Sequence, residues 1–68
     1  MAFFGVYRGT VLDNADPGAM RRVKVSVEGR EGWALVALAG PKLEVGSNVI
    51  VAFERGNADY PVILGRVA

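Results

Sequence analysis

The chain contains neither cysteine nor histidine. Disulfide staples and the usual zinc sites are therefore excluded, as are Ser-His-Asp and Cys-His arrangements for nucleophilic catalysis. The seven Asp and Glu residues are scattered, without the alternating oxygen ligands around a turn glycine that mark a calcium loop. No apolar run approaches the roughly 20 residues of a bilayer-spanning helix. Met1-Ala2-Phe3-Phe4-Gly5-Val6 lacks the basic start and long apolar stretch of a signal peptide. Neither sign of charge dominates, since eight basic residues against seven acidic leave a net charge of +1. A dedicated binder of nucleic acid or of an anionic membrane would carry a basic excess on one face. The expectation is a soluble protein, cytoplasmic or carried inside an assembly, with no cofactor, no metal and no membrane insertion.

What is present is apolar. Hydrophobic residues make up 51% of the 68-residue chain, and the mean hydropathy is +0.27. A domain this short buries a small fraction of its surface and usually needs a staple or a partner subunit. With the staples excluded, very good packing or oligomerisation remains, and the composition favours oligomerisation.

The punctuation of the sequence spells strands. Gly5 to Leu12 is rich in β-branched and aromatic residues and ends at Asp13-Asn14-Ala15-Asp16-Pro17-Gly18. There Pro17 presets a turn and Gly18 accepts positive φ. Gly9 within that strand reads as a bulge or bend. From Arg21 to Val27, valines at 23, 25 and 27 alternate with Arg22, Lys24 and Ser26, a two-residue period with one wet face. Glu28 to Gly32 reads as a polar hairpin loop, Trp33 to Ala39 as a third strand, and Asn48 to Phe53 as a fourth. After a loop from Arg55 to Asp59, Tyr60 to Leu64 forms the fifth, with Pro61 at its start, where a missing donor is best tolerated. Five short strands joined by tight loops predict one small barrel over residues 1–68, of the oligosaccharide/oligonucleotide-binding (OB) type or SH3-like. The helix that many OB barrels carry between strands three and four has no room between Gly40 and Gly46, which Pro41 interrupts. The expected fold is an all-β, five-stranded OB-type barrel without the usual helix. Pro17, Gly18, Gly46, Gly56 and Gly65 are expected to be architectural turn residues.

The later strands depart from alternation. Trp33 to Ala39, Val49 to Phe53 and Val62 to Leu64 are apolar at successive positions, whereas a lone barrel has only one interior to fill. Strands greasy on both sides imply that the outside is covered too. Small Ala34, Ala37 and Ala52 exposed to water would be the plainer explanation. Candidate contact residues are Trp33, Phe3 and Phe4, with whichever of Val36, Leu38, Ile50 and Ile63 face outward. Phe3 and Phe4 either plug the end of the barrel or dock on a neighbour.

Chemistry is hard to find. Ser26 and Ser47 lack a nucleophile-elbow context. Asp13 and Asp16 form the nearest carboxylate pair but flank a Pro-Gly turn, where Asp commonly caps the backbone. Catalytic residues are therefore expected to be none. Nucleic-acid binding is the rival reading, because OB barrels often combine aromatic platforms with a basic groove. Tyr7 and Trp33 beside Arg21, Arg22 and Lys24 are the candidates. Against it, Glu28, Glu31, Glu44 and Glu54 blunt any positive groove. A monomeric single-strand binder is the alternative carried, with an SH3-like peptide adaptor behind it.

An ordered set of segments resembles one family. Tyr7-Arg8-Gly9-Thr10-Val11, Asp13-Asn14-Ala15-Asp16-Pro17 and Arg22-Val23-Lys24-Val25 look like the opening of the OB domain of phage baseplate spike proteins (baseplate assembly protein V). The same domain occurs in the valine–glycine-repeat spike proteins of type VI secretion systems. Gly32-Trp33-Ala34, Val45-Gly46, Val49 to Gly56 and Tyr60 to Gly65 continue the likeness over nearly the whole chain. Asn57 departs from it where an Asp usually follows the glycine, and the loop from Glu28 to Gly32 is shorter than in many relatives. The resemblance implies a structural connector at the tip of a virion tail or a contractile injection apparatus. It would form a homo-oligomer, with a trimer favoured, and join hub to spike by mating surfaces without turnover. Members of the family normally continue into a β-helical needle, which is expected here on a separate chain unless the sequence is a minimal or excised version.

Overall fold

The computed structural model describes residues 2–18, 21–37 and 42–67. Its elements in chain order are β1 (Val6–Asp13), β2 (Val23–Val27), β3 (Arg30–Val36), β4 (Asn48–Phe53), a 3₁₀ turn at Glu54–Gly56, and β5 (Pro61–Arg66). The strands close in the order β1-β2-β3-β5-β4, with β4 returning to β1. Every pairing is antiparallel except β3 with β5. The chain is an all-β, five-stranded closed barrel of OB type. No helix lies between β3 and β4 among the described residues.

The expected strand positions hold best where alternation or a turn pins them. β4 begins and ends where the sequence placed it, and β2 is the alternating valine strand, shortened to start at Val23. β3 starts earlier than expected, at Arg30 in place of Trp33. The reason lies in the preceding turn, which needs two residues where a loop of five was expected. Glu28 and Gly29 take φ of 51° and 76°, and Val27 pairs directly with Arg30. Positive φ at both central residues twists the hairpin in the sense that the strands require. Leu38 and Ala39, expected in this strand, lie outside the described residues.

The interior is a stack of small branched side chains. Val11, Val23, Val25, Val27, Ala34, Val49, Val51 and Ile63 form the buried cluster, with Tyr7, Val36, Leu43 and Phe53 packed against it. Gly9 was expected to mark a bulge or bend, and its pairing with Val49 is regular, without a bulge. Its lack of a side chain has another cause: a Cβ there would sit 2.9 Å from Val27 Cγ2 and 3.2 Å from the Ser26 carbonyl oxygen. The barrel closes too tightly at that point for any side chain. The real bulges lie elsewhere. Leu12 falls between the pairs Val11–Val25 and Asp13–Lys24, and Leu64 between Val51–Ile63 and Ile50–Gly65. Each adds a residue to one strand and bends it.

The expected turn residues are placed as follows. Pro17 and Gly18 form a turn, and Gly46 (φ 91°) ends a turn in which Ser47 N–H donates to the Glu44 carbonyl. Gly56 (φ 70°) closes the 3₁₀ turn, and Gly65 is part of the β5 bulge. Gly18 contributes an amide, described below. Asn57 Oδ1 accepts the Asp59 N–H at 2.9 Å, a local turn that an Asp makes equally well.

Replacing Gly9 with Ala forces a methyl group against stiff Val27 and fixed backbone. Gly9→Ala is expected to destabilise the fold by about 1–3 kcal/mol. The check is a urea titration, where the midpoint should fall while the slope stays unchanged.

Candidate assembly interface

Strand parity divides the outer wall into two unlike halves. With Gly9, Val11, Val49, Val51 and Ile63 turned inward, the alternate positions must point out. Register then lines up Val6 with Ala52, Ala52 with Val62, and Val62 with Leu35. This row crosses β1, β4, β5 and β3 and is apolar at every position. Val6 is 63% exposed and Leu35 47%, with Ala52 and Val62 half-buried between them. Ile50 lies one step along β4, opposite Leu64 and Gly65 of the bulge, and Leu64 is exposed. Phe4 and Tyr60 extend the exposed apolar surface toward one end of the barrel.

The other half of the wall is polar. Thr10 pairs with Ser26, Ser26 with Glu31, and Lys24 with Trp33. Arg22 is held by Asp16, and Lys24 Nζ lies 3.7 Å from Glu31 Oε1. The cations beside Trp33 thus face carboxylates, unlike the free basic groove that a single-strand binder needs.

The two phenylalanines part company. Phe3 is buried at the barrel end, its ring centroid 5.0 Å from that of Phe53 and 5.6 Å from that of Tyr7. The Arg30 guanidinium covers it from 5.7 Å, and the backbone N–H of Phe3 donates to the Gly56 carbonyl at 2.7 Å. Phe3 is a plug. Phe4 is 72% exposed and lies across Gly56, where a Cβ would meet its ring at 2.6 Å. Gly56 is therefore glycine for two reasons, its positive φ and this close approach.

The other candidates sort by side. Ile63 is fully buried and belongs to the core, so it drops out of any contact set. Val36 pairs with it in register and packs against the same cluster. Ile50 and Trp33 face outward, half-buried. Leu38 lies outside the described residues. Val6, Leu35, Val62 and Leu64 were not singled out from the sequence, and Ala52 was named there only as a small residue that water could reach. A signal for Leu35 existed: the two-residue turn at Glu28-Gly29 sets Val23 opposite Ala34, which turns Ala34 in and Leu35 out. Reading a five-residue loop there discarded it.

The loop between β1 and β2 is pinned by Asp16. Its carboxylate, 2% exposed, accepts from Arg22 Nε at 2.9 Å and Nη2 at 3.1 Å, and from the amides of Gly18 (2.8 Å) and Arg22 (3.1 Å). Two parallel bonds from a guanidinium are the strongest form of such a pair. Arg22 also lies 6.0 Å above the Trp33 ring, tying the loop to the outer face of β3. Asp13 Oδ1 takes the Ala15 amide, so both carboxylates of the candidate catalytic pair bind backbone. The hydrogen bond from the Arg22 side chain chiefly holds the Asp16 carboxyl well below the usual carboxylate range. The two amides and the Arg22 charge add to this, while desolvation opposes it. Among the described residues no group of acidic side chains is arranged to hold a metal ion, and no helix is long and apolar enough to cross a membrane.

A closed barrel of this strand order, with side-chain carboxylates spent on turns and an apolar outer wall, falls in the class of OB barrels. Residues 7–67 match the model of the type VI secretion system/phage-baseplate injector OB domain, and the chain belongs to that family. No curated protein matches the chain. The family is structural and non-catalytic, and its partners are components of the baseplate or spike assembly.

Because the folded-state pKa of Asp16 is depressed, its contribution to stability is fully present above the unfolded value of about 3.9 and is lost as pH falls below it. Asp16→Asn should therefore melt below the unmodified protein at neutral pH. The gap should narrow progressively below about pH 4, which thermal melts across a pH series would read.

Proposed function

We propose that the chain is a connector that joins hub to spike in a phage baseplate or type VI injector, acting by surface mating alone. Its apolar outer row is covered in the assembled state by neighbouring copies in a homo-oligomer, with a trimer favoured. The observation that carries this reading is the unbroken line Val6–Ala52–Val62–Leu35 across four strands of the outer wall. Isolated exposed apolar residues are ordinary on protein surfaces, but a contiguous row bridging four strands marks a surface that meets protein.

Magnitudes favour a partner. A standard interface covers about 800 Å² per partner, roughly a sixth of the 4661 Å² that this chain exposes. Apolar area removed from water contributes about 25 cal/mol per Å². That is substantial for a barrel whose own core consists mainly of valines.

Light scattering over a dilution series tests the proposal. The unmodified chain should appear as an oligomer that dissociates on dilution. Leu35→Glu, which places a charge at the β3 end of the row, should shift it to monomer at least tenfold earlier in concentration while leaving the β circular-dichroism spectrum intact. A stable, well-folded monomer of the unmodified chain at micromolar concentration would overturn the oligomer.

A further inference from the structure

The barrel is not sealed evenly along β3. In the β2–β3 hairpin the tight turn makes Val27–Arg30 a hydrogen-bonded pair, so Val25–Gly32 and Val23–Ala34 are the next such pairs. The N–H and C=O groups of Glu31, Trp33 and Leu35 must then point the other way, toward β5. Only the far end of that edge is answered. Leu35 pairs with Val62 and Val36 with Ile63, and the Ala37 N–H donates to the Ile63 carbonyl at 3.0 Å.

The reason the ladder stops is chemical. In a parallel pair each residue bonds to two positions on its neighbour, so the rung before Ile63 N–H to Leu35 C=O would run from residue 61 to the Trp33 carbonyl. Residue 61 is proline and has no N–H to donate. Among the described residues no pairing of β5 reaches Glu31 or Trp33. A short strand edge therefore lies open beside the half-buried Trp33, next to exposed Leu35 at the end of the apolar row.

We infer that this edge, Glu31 to Trp33, receives an extended segment of another protein of the injector, which adds a short strand to the barrel between β3 and the start of β5. Open backbone donors and acceptors recognise an extended strand and little else, with alternate side chains choosing the partner. Here the outward positions on the accepting strand are Glu31, Trp33 and Leu35. Glu31 is spoken for by Lys24, so the incoming segment meets an aromatic face and a leucine and should be apolar at alternate positions. The partner is a different chain: pairing of this edge with its own copy would be two-fold, whereas the family's partners are components of the baseplate or spike assembly. This inference rests on the connector reading, and its test separates the two.

Amide hydrogen exchange on the isolated chain and on the purified baseplate or injector complex containing it provides that test. In the isolated chain Glu31 and Trp33 should exchange at least tenfold faster than their neighbours Gly32 and Ala34, which β2 protects. In the complex, Glu31 and Trp33 should slow by at least tenfold while Gly32 and Ala34 change little. Fast exchange at Glu31 and Trp33 within the complex would overturn the inference, even if Val62 and Leu35 became protected and the connector reading stood. Protection already present in the isolated chain would overturn it as well. Glu31→Pro supplies a second arm, since it removes the outward donor and spares the β2 ladder, giving up besides only the exposed ion pair with Lys24, which contributes little. That variant should keep its melting temperature yet lose incorporation into the complex at least tenfold; full incorporation would count against the strand addition.

Discussion

The narrowness of the barrel interior governs the rest of the structure. Five short strands closing on themselves leave a bore that admits valines, one isoleucine and an alanine, and at Gly9 no side chain at all. The leucines among the described residues lie outside that cluster. Leu12, Leu35 and Leu64 are exposed and Leu43 lies only against the margin of the cluster. An apolar chain folded around so small a core must carry much of its grease on the outside. The outer row is thus a consequence of closure, and the same closure explains why the chain suits a role among neighbouring proteins.

The ends of the barrel are managed by different means. At one end Phe3, Tyr7 and Phe53 form an edge-on aromatic cluster. Aromatic pairs in such tilted arrangements add stability beyond their buried area. Elsewhere the long β1–β2 loop is held by the fork between Arg22 and Asp16, and Asn14 Nδ2 donates to the Leu43 carbonyl at 2.7 Å. Polar side chains in this molecule are used to fix loops onto the wall. Membership of the injector OB family agrees with that use, since the family is structural and non-catalytic.

Much of the architecture was legible before any coordinates. Alternation of Val23, Val25 and Val27 with polar residues identified a strand and its wet face together. The turn chemistry around Pro17-Gly18 and Gly46 set boundaries within a residue or two, and the run of Val49 to Phe53 could hardly be anything but a strand. The aromatic pair at the start was not legible in the same way, because adjacent Phe3 and Phe4 are chemically identical. Only the hydrogen bond of Phe3 to Gly56, and the ring packing that follows, send one inside and leave the other out.

By itself, then, the sequence determined that the chain is β throughout, where most of its turns fall, and that it has neither the cysteine nor the histidine of the usual zinc sites and nucleophilic triads. Those properties depend on local rules: side-chain type, two-residue periodicity and the backbone demands of glycine and proline. Which face of the doubly apolar strands looks outward was decided only in three dimensions. Periodicity carries no information where both faces are greasy, so the assignment passes to register, set here by a two-residue turn, two bulges and the missing donor of Pro61. Those few positions placed Ile63 in the core and Leu35 on the wall.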